Sequence, residues 1–423
     1  MSTRSAHYSA SALQTRSLRG LDLLNLFIAN VQTGFGPFIA VYLTAHSWTQ
    51  VQIGLVLSVG TISGMASQVP AGALIDATPR KQLAAASAMA AIMLSALIFG
   101  LWPNPLPVLI AEVLHGFASA MVVPAVAAIS LTLVSRREVG ERMGRNARWA
   151  AIGNGFAAAA MGAIGYTISY QAVFLLTAAL AVPALFALRM IHHDERPSRR
   201  MTAPAATDRP PRAQWWRLFV DRRLLAFAGC AALFQLGNAA MLQLVGGELT
   251  KQVGTAPSLV IAACIVLPQL VVAALSPWAG RAAERWGRRP IIILGFLALP
   301  VRALVFAATA SSFLVLPVQA LDGIAGASFG VLVPLIAADL TVASGRFNLY
   351  MGVIGLAGGI GAALSSTLAG AIADSYGTSA AFLVLAAAGA GAVLLAWAAM
   401  PETRPGTPAV RRISRRALAE ARR

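Results

Sequence analysis

The chain has 423 residues, of which 57% are hydrophobic and only 12% are charged. Soluble domains typically carry about 25% charged residues, so this composition excludes an ordinary soluble globular protein. The net charge of +17 would be typical of a nucleic-acid-binding protein. The basic residues, however, lie mostly in short gaps between apolar segments and in the two tails. That distribution is typical of membrane proteins, and no nucleic acid is expected as a partner.

Apolar segments of about 20 residues, long enough to cross a bilayer as helices, follow one another along the chain. Strands of a membrane barrel are about 10 residues long and alternate in polarity, which these segments do not. The sequence therefore predicts an all-α membrane protein with twelve transmembrane helices. The predicted spans are 21–43, 51–71, 83–103, 106–134, 147–168, 171–190, 224–249, 257–279, 290–309, 312–341, 348–373 and 378–400.

One long polar interior segment, rich in Arg, Pro and Asp, separates the first six spans from the last six. Its composition is typical of a linker. The predicted domains are an N-terminal tail (1–20), a six-helix bundle (21–191), a linker (192–222), a second six-helix bundle (223–401) and a basic tail (402–423).

Lys and Arg predict the orientation. The gaps after spans two, four, eight and ten, the linker and both tails lie on one side and carry nearly all of the basic residues, whereas the opposite gaps contain only Lys251. Both termini and the linker are therefore predicted to be cytoplasmic. The alanine- and arginine-rich composition is consistent with a bacterial inner membrane. Anionic lipid headgroups are the expected partners of the basic tail, and a monomer is expected.

Two cytoplasmic turns have similar sequences. GALIDATPRKQL occupies residues 72–83, between spans two and three, and GRAAERWGRRP occupies 280–290, between spans eight and nine. An offset of 208 residues pairs Gly72 with Gly280, Asp76 with Glu284, Arg80 with Arg288, and Lys81 with Arg289. Two halves with six spans each are expected to be parallel repeats, related by an axis along the membrane normal.

These two turns, in a chain of six spans, a basic linker and six spans, resemble the signature of the major facilitator superfamily. The resemblance covers essentially the whole chain and implies two pseudo-symmetric six-helix bundles that transport solutes by alternating access. It also implies that the eight paired turn residues form a cytoplasmic gate, in which the acids accept hydrogen bonds at a helix N-terminus. The alternative interpretation is a tight turn whose positive charges only set the topology.

Ionisable residues inside the bilayer are costly and are candidates for function. Span four contains Glu112 and His115, three residues apart on one helix face, and span ten contains Asp322. The resemblance implies that these two helices line a central cavity. We therefore predict proton coupling through Glu112, His115 and Asp322. The alternative is a static hydrogen-bonded network, with Arg302 of span nine as a structural partner of Asp322.

Amide side chains in apolar spans are candidates for contacts with the substrate, although amides also join membrane helices. They are Asn30 and Gln32 in span one, Asn154 in span five, Gln235 and Asn238 in span seven, and Gln319 in span ten.

The function predicted from these features is secondary active transport of a small organic solute, with proton-coupled efflux of an amphiphile as the main hypothesis. Proton-symport uptake of a metabolite is the alternative, and a solute sensor on a transporter scaffold is a more remote one. No nucleotide-binding loop or constellation of nucleophilic residues indicates an enzyme, and no cofactor is expected. Cys230 and Cys264 lie in apolar spans, which indicates neither a disulfide framework nor a metal site.

Overall fold

The computed structural model describes residues 3–33, 38–192, 221–245, 257–309, 312–342 and 344–404. All regular secondary structure in these ranges is α-helical. Within them, ten helices are long and apolar enough to cross a membrane. The prediction of an all-α membrane protein is confirmed.

The chain divides into two compact units, Met1–Met201 and Thr202–Arg423. The helices of unit 1 are α1 (Thr3–Thr33), α2 (Phe38–Ala45), α3 (Gln50–Ala77), α4 (Lys81–Leu101), α5 (Pro105–Leu133), α6 (Val139–Thr167) and α7 (Tyr170–Arg189). Those of unit 2 are α8 (Arg222–Asn238), α9 (Pro257–Trp286), α10 (Arg288–Ala308), α11 (Ser312–Thr341), α12 (Phe347–Tyr376) and α13 (Thr378–Ala399).

Some of the helices begin where a local side chain accepts free backbone N–H groups. Thr49 and Gln52 form a capping box at the start of α3, with hydrogen bonds of 2.9 and 3.3 Å between each backbone N–H and the other side chain. Asp221 caps α8 by accepting the N–H of Arg223 at 3.0 Å. Gly287 and Gly377 have positive φ angles and separate consecutive helices without a longer loop.

Equivalent helices pack in the same way in the two units. In unit 1, α5 packs on α3 and α4, α7 packs on α4 and α1, and α1 packs on α6. In unit 2, α11 packs on α9 and α10, α13 packs on α10 and α8, and α8 packs on α12. The predicted repeat therefore extends from the two turns to the helix packing of both bundles.

Aromatic side chains fill part of the core of each unit. In unit 1, Phe99 stacks on Phe174 with ring centroids 5.2 Å apart, and the hydroxyl of Tyr42 donates to the Phe99 carbonyl at 2.8 Å. In unit 2, Phe234 stacks on Phe329 at 4.3 Å. Large apolar side chains also remain exposed on the outer helix faces, as expected where lipid replaces water.

Some predicted boundaries fall outside the described residues. The first predicted span, 21–43, contains the C-terminal part of α1 and most of α2, and residues 34–37 between these helices are not described. Most of the predicted linker 192–222 and basic tail 402–423 is also outside the description. The exact domain limits therefore stay predictions.

Candidate functional site

Glu112 is a buried acid about two turns after the start of α5. Its side chain is 4% exposed and lies against Gly60 of α3, so close that a β-carbon added at Gly60 would collide with its Oε2. The other oxygen, Oε1, is buried and has no hydrogen-bond partner in the described part of the chain. Burying an ionised carboxylate without a partner is costly, so this position favours the protonated carboxyl.

The backbones of α3 and α5 approach closely beside this carboxyl. A β-carbon added at Gly116 would lie 2.8 Å from the nitrogen of Gly64 and 2.9 Å from the oxygen of Gly60. The hydroxyl of Ser63 donates to the Val113 carbonyl at 3.0 Å. Small residues permit such close packing in membranes. We call Gly60, Ser63, Gly64, Glu112 and Gly116 the α3–α5 crossing.

Unit 2 contains an equivalent crossing between α9 and α11. Gly323 approaches Pro268 as Gly116 approaches Gly60, so Gln319, four residues before Gly323, is the counterpart of Glu112. Gln319 is 1% exposed, and its Nε2 donates to the Cys264 carbonyl at 3.4 Å. Pro268, the counterpart of Gly60, has no N–H to offer that carbonyl, so the amide of Gln319 supplies the missing donor. A β-carbon at Gly323 would lie 2.7 Å from the Pro268 oxygen. We call Cys264, Pro268, Gln319 and Gly323 the α9–α11 crossing.

The two other proton-coupling candidates have different surroundings. His115 is half-buried and follows Glu112 by three residues on α5. Asp322 on α11 forms an ion pair with Arg302 of α10. The Arg302 side chain is almost fully buried and its Nε lies 3.1 Å from the sulfur of Met241, whereas the Asp322 side chain is 29% exposed. The charge of Asp322 is therefore compensated within unit 2.

The predicted gate residues of unit 2 form a network around the buried Arg288. Arg288 is 1% exposed and pairs with Glu284 at 3.1 Å and with Asp339 of α11 at 2.9 Å. The carboxylate of Glu402 accepts the backbone N–H groups of Arg288 and Arg289 at 2.9 and 3.1 Å. A carboxylate at the N-terminus of α10 also interacts favourably with the helix dipole. The guanidinium of Arg289 donates to the Trp397 carbonyl, and Gly280 is buried.

The corresponding residues of unit 1 make different contacts. Lys81 donates to the carbonyl of Ile75 at 2.7 Å, near the end of α3. Gly72 is buried, Asp76 is half-buried, and Arg80 is exposed. In sequence, no acid occupies the position near the end of α5 that would correspond to Asp339. The two turns thus share a sequence pattern but differ in their contacts.

A polar network in unit 1 was not predicted from the sequence. Arg142 and Arg145 of α6 both pair with Asp22 of α1, and Nε of Arg142 donates to Asn146 at 2.8 Å. Asn146 in turn donates to Ser130 of α5 at 2.7 Å. Burial lowers the pKa of the Arg142 guanidinium, and the nearby Asp22 carboxylate opposes this shift. Asp22 is the only acid among the first 75 residues, and this scarcity was the signal that the sequence offered.

The amide candidates are distributed over both units. Asn154 in α6 and Gln235 and Asn238 in α8 are half-buried, and Oδ1 of Asn238 is buried without a hydrogen-bond partner among the described residues. Asn30 and Gln32 lie in α1, but their side chains are outside the description. Their contacts with substrate stay predictions. The described residues contain no cluster of His, Cys, Asp and Glu suited to a metal ion.

Comparisons with known proteins agree with this architecture. The sequence profile of the Major Facilitator Superfamily matches residues 21–263 and 228–421. An uncharacterized MFS-type transporter of Mycobacterium tuberculosis, found in two strains, is 35% identical over 398 residues, which are 93% of this chain and 95% of the relative.

Solved structures show the same fold. The crystal structure of the E. coli fucose:proton symporter superposes with a TM-score of 0.73 at 12% identity, covering 89% of this chain and 97% of the symporter. The human organic anion transporter TETRAN superposes with a TM-score of 0.69 at 15% identity, covering 90% of this chain and 99% of that protein. Helices, repeat and sequence thus define a secondary-transporter class of membrane protein. The chain belongs to the Major Facilitator Superfamily, a family of transporters and not of enzymes.

Proposed function

We propose that this protein is a proton-coupled transporter that exports an amphiphilic small molecule by alternating access. The observation that carries the proposal is the buried carboxyl of Glu112, whose Oε1 has no hydrogen-bond partner among the described residues. An acid held in this way is stable inside the bilayer when neutral and costly when ionised. Its protonation state therefore affects the packing of α3 against α5.

The proposed cycle uses that difference. A hydronium ion in the water on the outer side gives a proton to the ionised carboxylate of Glu112, so that one O–H bond of hydronium breaks and one forms on the carboxyl. The neutral carboxyl then packs between α3 and α5. When water from the cytoplasmic side reaches Glu112, the O–H bond breaks and the proton leaves. His115, one turn away on α5, is assigned the exchange of that proton with water. Net proton entry then drives solute exit.

Asp322 receives a smaller part in this proposal. Its pairing with the buried Arg302 already compensates its charge. Loss of that charge would leave Arg302 without its counter-ion, which is unfavourable in a buried site. We therefore assign Asp322 mainly to holding α10 and α11 together.

An open apolar surface on one face of α5 favours an amphiphilic substrate. It is formed by Leu109, Ile110, Val113, Leu114 and Phe117. Apolar surface suits the hydrophobic part of a ligand, and a few polar groups fix its orientation. We assign the polar contacts to the amides of each unit separately: Asn154, with the predicted Asn30 and Gln32, in unit 1, and Gln235 and Asn238 in unit 2.

Gating is assigned to the cytoplasmic turns at 72–83 and 280–290. In unit 2, the pairing of Arg288 with Glu284 and Asp339 fixes the positions of α9, α10 and α11 relative to one another. The exposed Arg80 of unit 1 is left to make contacts that change during the cycle. We place the protein in a bacterial inner membrane as a monomer, with both termini and the linker in the cytoplasm near anionic headgroups.

Proton-symport uptake is the second candidate. The fold is similar to that of a fucose:proton symporter, and the same Glu112 chemistry operates if solute and proton move in one direction. The direction of the proton movement that accompanies solute movement separates the two.

The test uses the protein reconstituted in liposomes that carry an internal pH dye. Pooled amphiphiles and small metabolites are added under an imposed pH gradient, and substrate-dependent proton flux is recorded. We expect flux from an amphiphile in the antiport direction, and its loss in Glu112→Gln with substrate binding retained. Flux in the symport direction favours uptake. Unchanged flux in Glu112→Gln contradicts coupling through this carboxyl.

A further inference from the structure

Three glycines of the α3–α5 crossing have different surroundings. A β-carbon at Gly116 would press on the backbone of Gly60 and Gly64, and one at Gly64 would make only ordinary contacts, 3.8 Å from the Gly116 oxygen. At Gly60, all three nearest atoms would belong to the end of one side chain, that of Glu112. Gly116 therefore sets the helix separation, whereas Gly60 leaves room for a carboxyl.

We infer that Gly60 is the positioning residue of the proposed proton site, because its missing side chain provides the space that holds the Glu112 carboxyl between α3 and α5. This inference rests on the proposed function of Glu112 and names what controls that site. A side chain at position 60 displaces the carboxyl while the two backbones keep their separation, since the carboxyl ends a flexible chain and is the easiest part to move.

Among the described residues of unit 1, the charged groups on the helices that pack on α5 do not explain the position of this carboxyl. The only charged residue of α3 is Asp76, at its far end, and the only one of α4 is Lys81, at its first residue. The ion pairs of α1 and α6 with Asp22 lie beside Ser130, near the other end of α5. His115 is the one titratable neighbour along α5 itself. The position of the Glu112 carboxyl is thus set by shape.

The α9–α11 crossing supports this assignment. There the counterpart of Gly60 is Pro268, and the counterpart of Glu112 is a neutral amide that donates to the Cys264 carbonyl. The long side chain at this position packs on the neighbouring helix in both units, but only unit 1 combines an acid with a glycine opposite it. Both crossings thus share the same packing, but the combination of Gly60 with the acid Glu112 occurs in the α3–α5 crossing and not in the α9–α11 crossing.

The test is an infrared titration of the reconstituted protein, with the proton as the only ligand. A protonated carboxyl in an apolar site has a carbonyl band that reports its surroundings. We expect Glu112→Gln to remove one such band. Gly60→Ala should keep a Glu112-dependent band but shift its frequency and its pH profile, because the displaced carboxyl has new neighbours. The matched control Gly64→Ala, one turn along α3, should retain the wild-type spectrum.

A second comparison separates positioning from general damage to the fold. Aspartate is shorter by one methylene and does not extend into the space beside Gly60. In a Glu112→Asp background, Gly60→Ala should therefore cause no further shift of the band. An unshifted Glu112 band in Gly60→Ala, or no Glu112-dependent band at any pH, overturns the inference. If the band shifts but Glu112→Gln leaves proton flux unchanged, the positioning holds and the proposed function fails.

Discussion

The two units have the same pairs of packed helices but differ in whether their buried acids are paired with cations. In unit 2, the acids Asp322, Glu284 and Asp339 pair with the buried cations Arg302 and Arg288. In unit 1, Asp22 is also paired, but Glu112 has a buried oxygen with no hydrogen-bond partner among the described residues. Acids paired with a cation hold helices together. A buried acid without such a partner is the one that protonation stabilises most. The same bundle architecture thus carries structural charges in unit 2 and a candidate proton-coupling acid in unit 1.

The largest effect is expected at the uncompensated acid. Glu112→Gln retains the shape of the side chain and copies the amide that unit 2 uses at the equivalent position. We expect the protein to fold with wild-type thermal stability in detergent while transport loses its dependence on the pH gradient. As a control, Asp322→Asn should keep that dependence in whatever fraction folds. If transport by Glu112→Gln still depends on the pH gradient, the proposed difference between the acids of the two units is wrong.

The next effect concerns Arg288, the buried cation in the 280–290 turn of unit 2. Arg288→Ala leaves Glu284 and Asp339 close together without their partner, so we expect a loss of about 3–5 kcal/mol in the free energy of unfolding. Arg80→Ala, the matched change in unit 1, removes an exposed side chain and should alter stability by no more than about 0.5 kcal/mol. Chemical denaturation in detergent measures both. Equal losses of unfolding free energy in Arg288→Ala and Arg80→Ala would mean that the two turns contribute equally to stability.

A smaller loss is expected at the pair within the membrane. Asp322→Ala leaves Arg302 buried without its counter-ion and should cost about 3 kcal/mol. The double variant Asp322→Ala with Arg302→Met should recover part of that loss, because the isolated charge of Arg302 is also removed. A double-mutant cycle measured by denaturation gives the interaction energy. Additive losses would indicate that the pair is not coupled.

The smallest effect tests the neutral crossing. Gln319→Leu removes the donor to the Cys264 carbonyl, and we expect a loss of about 1 kcal/mol with proton coupling intact. The same denaturation and flux assays apply. Loss of coupling in Gln319→Leu would show that unit 2 also takes part in proton movement.

Much of the fold follows from patterns that repeat along the chain. Apolar length predicted helices, the polar gaps marked their limits, and the two turns revealed the repeat that the packing of α5 and α11 confirms. The local sequence did not predict contacts between residues far apart. Asp22 lies 120 residues from Arg142, and Glu402 lies 114 residues from Arg288. Spacing along a helix carries no information about such pairs.

The candidate site was only partly accessible to sequence reasoning. The sequence alone singles out Glu112, because placing an acid in an apolar span costs free energy. Nothing in the sequence distinguishes Gly60, which faces the carboxyl, from Gly54 on the same helix, which faces open space. Likewise, the Arg302–Asp322 pair could be predicted from two charges in adjacent spans, but its effect on the role of Asp322 depends on their contact.

The central claim is that Glu112 is the proton-coupling group. The most direct measurement is the proton released or taken up when substrate binds the purified protein in weakly buffered solution, since binding and protonation at a coupled site are reciprocally linked. We predict proton exchange in the wild type and in Asp322→Asn, and none in Glu112→Gln despite retained substrate binding. Wild-type proton exchange in Glu112→Gln would contradict the claim.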